Sequence, residues 1–134
     1  MKKFHNYVSN LTVLSRAKEE DLENEFIISG IIDKFFIQFE LGWKVLKELL
    51  KYEGYGMANT GSPREIIKMA YSVYEFLGED LWLSMLRDRN DMTHIYDGGS
   101  AKRLVQRILS DYIPEFVRLQ KEIETHYKDK LDEI

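Results

Sequence analysis

Eight consecutive residues hold the densest chemistry in the chain: Arg89-Asn90-Asp91-Met92-Thr93-His94-Ile95-Tyr96. An imidazole titrates near neutrality, so His94 is a candidate general acid or base. A guanidinium is planar and permanently charged, which suits Arg89 to stabilising an anion such as a phosphoryl group. Asn90 and Tyr96 add donors and acceptors beside them. One arginine and one histidine are a thin constellation by themselves. A helical bundle without site chemistry, with His94 at the surface and Tyr96 in the core, accounts for them equally well. His5 and His126 have no comparable context and read as surface residues. No pair of histidines or carboxylates has metal-ligand spacing, so no metal or other cofactor is expected.

Cysteine is absent, which excludes disulfides, thiolate metal sites and a cysteine nucleophile. The net charge of -4 argues against a protein that coats nucleic acid by bulk electrostatics. Between positions 87 and 107 the balance reverses, with Arg87, Arg89, Lys102, Arg103 and Arg107 against Asp88, Asp91 and Asp97. A solvated charged face explains that excess, and so does a local basic site. Met1 to Asn6 lacks the long apolar run of a secretion signal. Asp33, Lys34 and Glu40 interrupt the best candidate for a membrane span, which needs roughly 20 apolar residues. The expected location is the cytoplasm, with no membrane contact.

The elements that must position the motif are helices. Apolar residues recur at three- and four-residue intervals nearly throughout, and prolines number only two, so the expected fold is all-α: an antiparallel up-and-down bundle of four to five helices in one domain, residues 1–134. The first helix carries Phe4, Tyr7, Val8, Leu11 and Leu14, and a polar connection follows from Lys18 to Asn24. The second and longest runs from about Glu25 to Tyr52 on a stripe that includes Ile28, Ile32, Phe35, Phe39, Leu46 and Leu50. Gly42 inside that stripe would let another helix approach closely, at some loss of helix propensity. Ile37 and Leu41 form a second patch on the opposite face, suited to another neighbour or subunit. Gly54 to Gly61 reads as a loop that ends in a helix start at Ser62-Pro63-Arg64-Glu65, with an N-cap serine, proline next and glutamate three beyond the cap. A short third helix is expected from Glu65 to about Tyr74, and a fourth opens at Glu79-Asp80. Gly98-Gly99 should break the chain, with Ser100 capping a fifth helix that kinks near Pro114.

On a regular fourth helix, Leu81, Trp82, Met85 and Met92 share one face, Arg89 lies in the middle of that stripe and Tyr96 beside it. His94 lies about 140° from Arg89. Three arrangements reconcile them. Arg89 snorkels out of the stripe, the helix ends near Asp91, or the site forms where two copies meet, Arg89 of one beside His94 of the other. A guanidinium among apolar residues needs a counter-charge, and Glu40, at the margin of the second helix's stripe, is the candidate. That pair would be either part of a site or purely structural.

The order of several segments resembles a known family. Phe39-Glu40-Leu41-Gly42-Trp43-Lys44 is similar to a Phe-Glu-x-x-Trp-Lys segment, Ser62-Pro63-Arg64 to a Ser-Pro-Arg turn, and Trp82-Leu83-Ser84-Met85-Leu86 leads into Asp88-Arg89-Asn90. Arg89-Asn90 followed by His94-Ile95-Tyr96 is similar to the Arg-x4-6-His motif with its His-x-Tyr extension, and Arg87 offers the longer spacing. The chain thus resembles the nucleotidyltransferase substrate-binding-protein family, a branch of the HEPN superfamily, over about residues 30 to 120. The resemblance implies a dimerising helical bundle, encoded beside a minimal nucleotidyltransferase and bound to it. In related pairs the bundle is a toxin, the transferase is its antitoxin, and AMP is transferred to the motif tyrosine, here Tyr96. Many HEPN proteins are metal-independent ribonucleases.

Two functions follow from that resemblance. As a dimeric ribonuclease, the chain would use His94 on a ribose 2′-hydroxyl or leaving oxygen and Arg89 on the phosphate. Asn90 would orient either group, and Tyr96 would stack on a base. Lys102, Arg103 and Arg107 would contact the RNA backbone, with Arg87 and Glu40 in support. As a non-catalytic nucleotide- or protein-binding bundle, it would dock on the transferase through the Ile37/Leu41 patch and the Gly54–Gly61 loop. It lacks the Gly-Ser-x4-Asp-x-Asp pattern of the transferases themselves, so it is expected to be the partner.

Overall fold

The structure is a computed structural model that describes residues 1–95 and 97–134, with the backbone only at residues 94 and 95. Tyr96 and the His94 side chain therefore lie outside the described residues. Helix α1 spans Lys2–Leu14, α2 Glu25–Tyr52, α3 Pro63–Val73 and α4 Glu79–Asn90. Helices α5 (Gly98–Arg107) and α6 (Ile113–Tyr127) continue into one another through a π turn at Ile108–Tyr112. The described residues thus form five rods and no strand, as the apolar period predicts.

Helix α2 touches every other rod. Its length comes from an uninterrupted helical period between two stops. Asn24 caps the start, its side chain accepting from the Phe26 and Ile27 N–H groups at 2.9 and 3.3 Å. Gly54 ends the helix with φ of 93°, a conformation L side chains rarely adopt. The face of Phe35, Phe39, Leu46, Leu49 and Leu50 is fully buried. Helix α1 runs antiparallel to α2, since Lys3 pairs with Glu48 at one end and Asn10 donates to Gln38 at the other. α4 is antiparallel to α5 and α6, Asp88 meeting Arg107 and Ser84 meeting Tyr112. α3 packs between α2 and α4. No helix among the described residues is long and apolar enough to cross a membrane.

Several local expectations are corrected. The third helix begins at Pro63 rather than Glu65, because the Ser62 cap works: its hydroxyl accepts from the Glu65 N–H while the Glu65 carboxylate accepts from the Ser62 N–H. Gly98-Gly99 does not break the chain. Asp97 caps α5 by accepting from the Gly99 N–H at 3.0 Å and from the Ser100 hydroxyl at 3.0 Å, so Ser100 belongs to the helix. Pro114 cannot donate an N–H to the ladder, and the π turn just before it takes up the mismatch, with the Ile113 N–H reaching Ile108 O.

Gly42 is where α4 meets α2. A Cβ placed there would lie 2.6 Å from Trp82 Cη2 and 3.3 Å from Tyr7 Cε2. Trp82 is fully buried and hemmed in by Phe39 and Phe116, with ring centroids 5.9 and 5.6 Å away. Gly42→Ala therefore sets a gain of about 1 kcal/mol in helix propensity against an overpacking penalty of about 1–3 kcal/mol. The indole has no room to retreat, so the penalty wins. Chemical denaturation should show a net loss of up to about 2 kcal/mol, and a stabilised variant would refute the close approach.

Candidate functional site

The basic end of α4 begins with its charge order. Glu79 and Asp80 lie in the first turn and Arg87 and Arg89 in the last, each sign at the helix end that favours it. The helix stops at Asp91, whose N–H still reaches back to the Arg87 and Asp88 carbonyls. The Asp91 carboxylate then accepts from the Thr93 N–H at 3.2 Å and the Thr93 hydroxyl at 2.6 Å. This Asx-type turn competes with further α-helix and starts the 3-10 turn Met92–Ile95. Met92 is consequently half exposed and does not extend the apolar stripe. The helix end near Asp91, one of the three arrangements, is present.

Arg89 is also not in the middle of a buried face. The buried residues of α4 are Trp82, Met85, Leu86 and Asp88, and Arg89 lies at their edge with its side chain about one-third exposed, at 34%. Its Nη2 donates to Glu40 Oε1, and its Nη1 donates to Asn90 Oδ1 at 3.0 Å. Glu40 is held in turn by Trp43 Nε1, which donates to Oε2 at 3.1 Å, and by Lys44 at 3.8 Å. The Phe39 to Lys44 segment thus places a carboxylate, its indole donor and the bare Gly42 backbone on the surface that α4 crosses.

A second charge cluster was not foreseen. Asp88, almost buried, accepts from Arg107 Nε at 3.0 Å and Nη2 at 2.9 Å, a bidentate fork. It also accepts from the Tyr112 hydroxyl at 2.5 Å, and that hydroxyl pairs with Ser84 Oγ at 2.7 Å. In a regular α-helix, residues five apart point about 140° from each other, whereas a π turn brings them back toward one side. The π turn is therefore what lets Arg107 and Tyr112 meet one carboxylate. The available signal was Asp88 beside Leu81 on the α4 wheel, a carboxylate bordering an apolar stripe. Tyr112 is core with a polar tip, and Arg107, expected on RNA, is turned to Asp88.

Between the α3 start and the last turns of α4 lies a cleft of about 690 Å³ whose lining includes Arg64, Arg87, Arg89, Asn90, Leu83 and Leu86. It brings together Arg87, Arg89 and Asn90 of the sequence motif. Arg103 lies apart, exposed on α5 and donating to Ser100 Oγ at 3.0 Å, and Lys102 pairs with Glu23 at 2.6 Å. Among the described residues no three His, Asp or Glu side chains gather to hold a metal.

An all-helical bundle that presents an arginine-lined cleft at a helix end is suited to holding anions at a protein surface. The chain belongs to the nucleotidyltransferase substrate binding protein like family, whose model matches residues 2–125. No curated protein matches its sequence.

Burial, then donation to the Asp88 carboxylate, pushes the Tyr112 hydroxyl up to about 12 from its usual 10. A phenol whose pKa rises on folding contributes stability that is intact below pH 10 and is lost as pH climbs from 10 towards 12. Tyr7, Tyr74 and Tyr127 are raised by burial as well, so they share the loss. Thermal melting across that range should fall steeply for the native chain and less steeply for Tyr112→Phe. Identical slopes would show that folding does not raise the Tyr112 pKa.

Proposed function

We propose that the chain is the partner subunit of a minimal nucleotidyltransferase, a HEPN toxin that cleaves RNA without a metal at an Arg89–His94 site shared by two copies in a homodimer. The observation that carries this reading is the end of α4 at Asp91. Arg89 is on the last turn of the helix and His94 on the 3-10 turn after it, so regular helix geometry no longer separates them. The Glu40 pair favours it further, because a guanidinium fixed by one edge and one-third exposed is preorganised for charge that builds on phosphate.

In this mechanism the His94 imidazole takes the ribose 2′-hydroxyl proton as that oxygen attacks phosphorus. The bond to the leaving 5′-oxygen breaks, and that oxygen is protonated by the partner copy's imidazole or by water. The products are a 2′,3′-cyclic phosphate and a 5′-hydroxyl, with Arg89 on the non-bridging oxygens and Asn90 orienting them. Arg87 and Arg103 hold flanking phosphates. Arg107 acts through Asp88, as a positioning residue. Incubated with RNA in chelator, the native chain should cleave, and His94→Ala should lose at least about 100-fold in rate. No cleavage, or equal cleavage by the variant, rejects the ribonuclease.

Control falls to Tyr96, whose oxygen would attack the α-phosphorus of ATP on the transferase and release pyrophosphate. The bulky anion left behind would repel RNA phosphate. Coexpression with the neighbouring transferase should yield a complex and, with ATP, a nucleotide mass on Tyr96. An unmodified Tyr96 rejects the control step, and failure to co-purify rejects the partnership. A second reading, a non-catalytic binding bundle, draws on two exposed apolar side chains suited to docking: Ile37 at 48% and Met57 at 76% exposure.

A further inference from the structure

The Ser62-Pro63-Arg64-Glu65 start of α3 needs only three of its residues. Ser62 and Glu65 exchange the capping hydrogen bonds, and Pro63 fixes the first helical φ. Arg64 takes no part in the cap. It is exposed, and neither it nor Arg87 has an ion-pair partner among the described residues.

Arg64 from α3 and Arg87 and Arg89 from α4 line the same cleft, with Leu83 and Leu86 as its apolar part and Asp91 as an acidic one. Each carboxylate nearby has a hydrogen-bond partner and keeps its negative charge. Glu65 folds back on the cap, Glu40 holds Arg89, and Asp91 accepts from Thr93. Arg64, Arg87 and Arg89 outnumber Glu40 and Asp91 around the opening, which leaves it positive, and the planar fork of arginine matches phosphate oxygens in pairs. The apolar floor suits the face of a base. A volume of about 690 Å³ lies within the usual 300–1,000 Å³ of ligand pockets, so roughly one nucleotide fits. The α3 N-terminus adds little, because the Glu65 carboxylate already occupies it.

We infer that Arg64 is a phosphate-binding residue and that this cleft, contained within one chain, takes the phosphate of a nucleotide, either free or within a strand. The ligand class rests on the ribonuclease–transferase reading above, whereas the cleft and its charge do not. AMP, inorganic pyrophosphate and a short oligoadenylate are the probes, measured against the native chain, Arg64→Ala and Arg64→Lys. All folds should melt alike, since Arg64 is exposed. Binding to Arg64→Ala should weaken about tenfold or more, with partial recovery in Arg64→Lys. For the oligoadenylate, the slope of log affinity against log salt should fall by about 0.7, the mark of one lost phosphate contact on a single strand. AMP bound as tightly as oligoadenylate identifies a free-nucleotide site, and oligoadenylate bound alone identifies a strand site; both support the assignment.

Unchanged binding by Arg64→Ala, an unchanged salt slope, or no binding of any probe to the native chain overturns it. Binding that depends on Arg64 without RNA cleavage removes the ribonuclease and keeps the cleft. Cleavage with Arg64-independent binding does the reverse.

Discussion

The seating of the Trp82 indole on the bare backbone at Gly42 is the contact on which the rest of this molecule depends. With a gap of 2.6 Å where a methyl would stand, α4 can lie against α2 only because position 42 has no side chain. The same indole touches Phe39 and Phe116, so one ring joins α2, α4 and α6. Arg89 follows Trp82 by about two helical turns and so returns toward the same side. Glu40 stands half a turn before Gly42 on α2. The same helix brings Arg89 to Glu40, so the Phe39 to Lys44 segment is at once a packing device and a site device.

Adjacent residues at the end of α4 are pulled toward different helices. Asp88 reaches the π turn, where it takes a bidentate guanidinium and a phenol. Arg89 reaches α2. The two anchors differ in strength. A pair as exposed as Arg89–Glu40 contributes about 0–1 kcal/mol. Leaving a nearly buried carboxylate or its partner unpaired costs about 3–5 kcal/mol, less here because Arg107 keeps 35% of its side chain exposed. Asp88 therefore anchors the last turn of α4 to Arg107 and Tyr112, and Glu40 sets which way Arg89 points. Beyond the helix, Asp91 and Asp97 each bind the backbone two residues on. They set a local turn on either side of the segment that carries His94.

Much of this was legible in the sequence because it depends on local rules. The period of apolar residues gave the rods, Ser62 to Glu65 gave the α3 cap, and an aromatic stripe broken by Gly42 foretold a close helix contact. Glu40 was found as the partner of Arg89 because a charge beside a stripe has few places to go. What escaped depends on geometry that regular periods cannot express. The wheel assumes 3.6 residues per turn, so it carried Met92 into a core it never reaches, and it cannot express a π turn that brings Arg107 and Tyr112 to one carboxylate. Asp97 competes with Ser100 for the role of α5 cap. Only the three-dimensional chain decides between them. The cleft at Arg64 escaped for a different reason: its walls come from elements separated in sequence, and nothing local links Ser62-Pro63-Arg64 to the last turns of α4.

The charge balance explains how such a site would behave on an acidic molecule. At physiological ionic strength fields fade over about 8 Å, so a net charge of -4 gives no general attraction for RNA. Only a phosphate that enters the cleft meets Arg64, Arg87 and Arg89 together, and recognition is consequently short-ranged and shape-dependent. The same feature would make the site easy to silence. Under the proposed control, a nucleotide joined to Tyr96 is tethered seven residues from Arg89, at an effective concentration on the order of millimolar for a short link. A strand phosphate arriving from solution at micromolar concentration then competes against an anion that cannot diffuse away. Modification would thus inhibit by filling the guanidinium forks as well as by obstructing the cleft. An acidic surface strengthens that inhibition, because it offers the displaced strand no second place to bind.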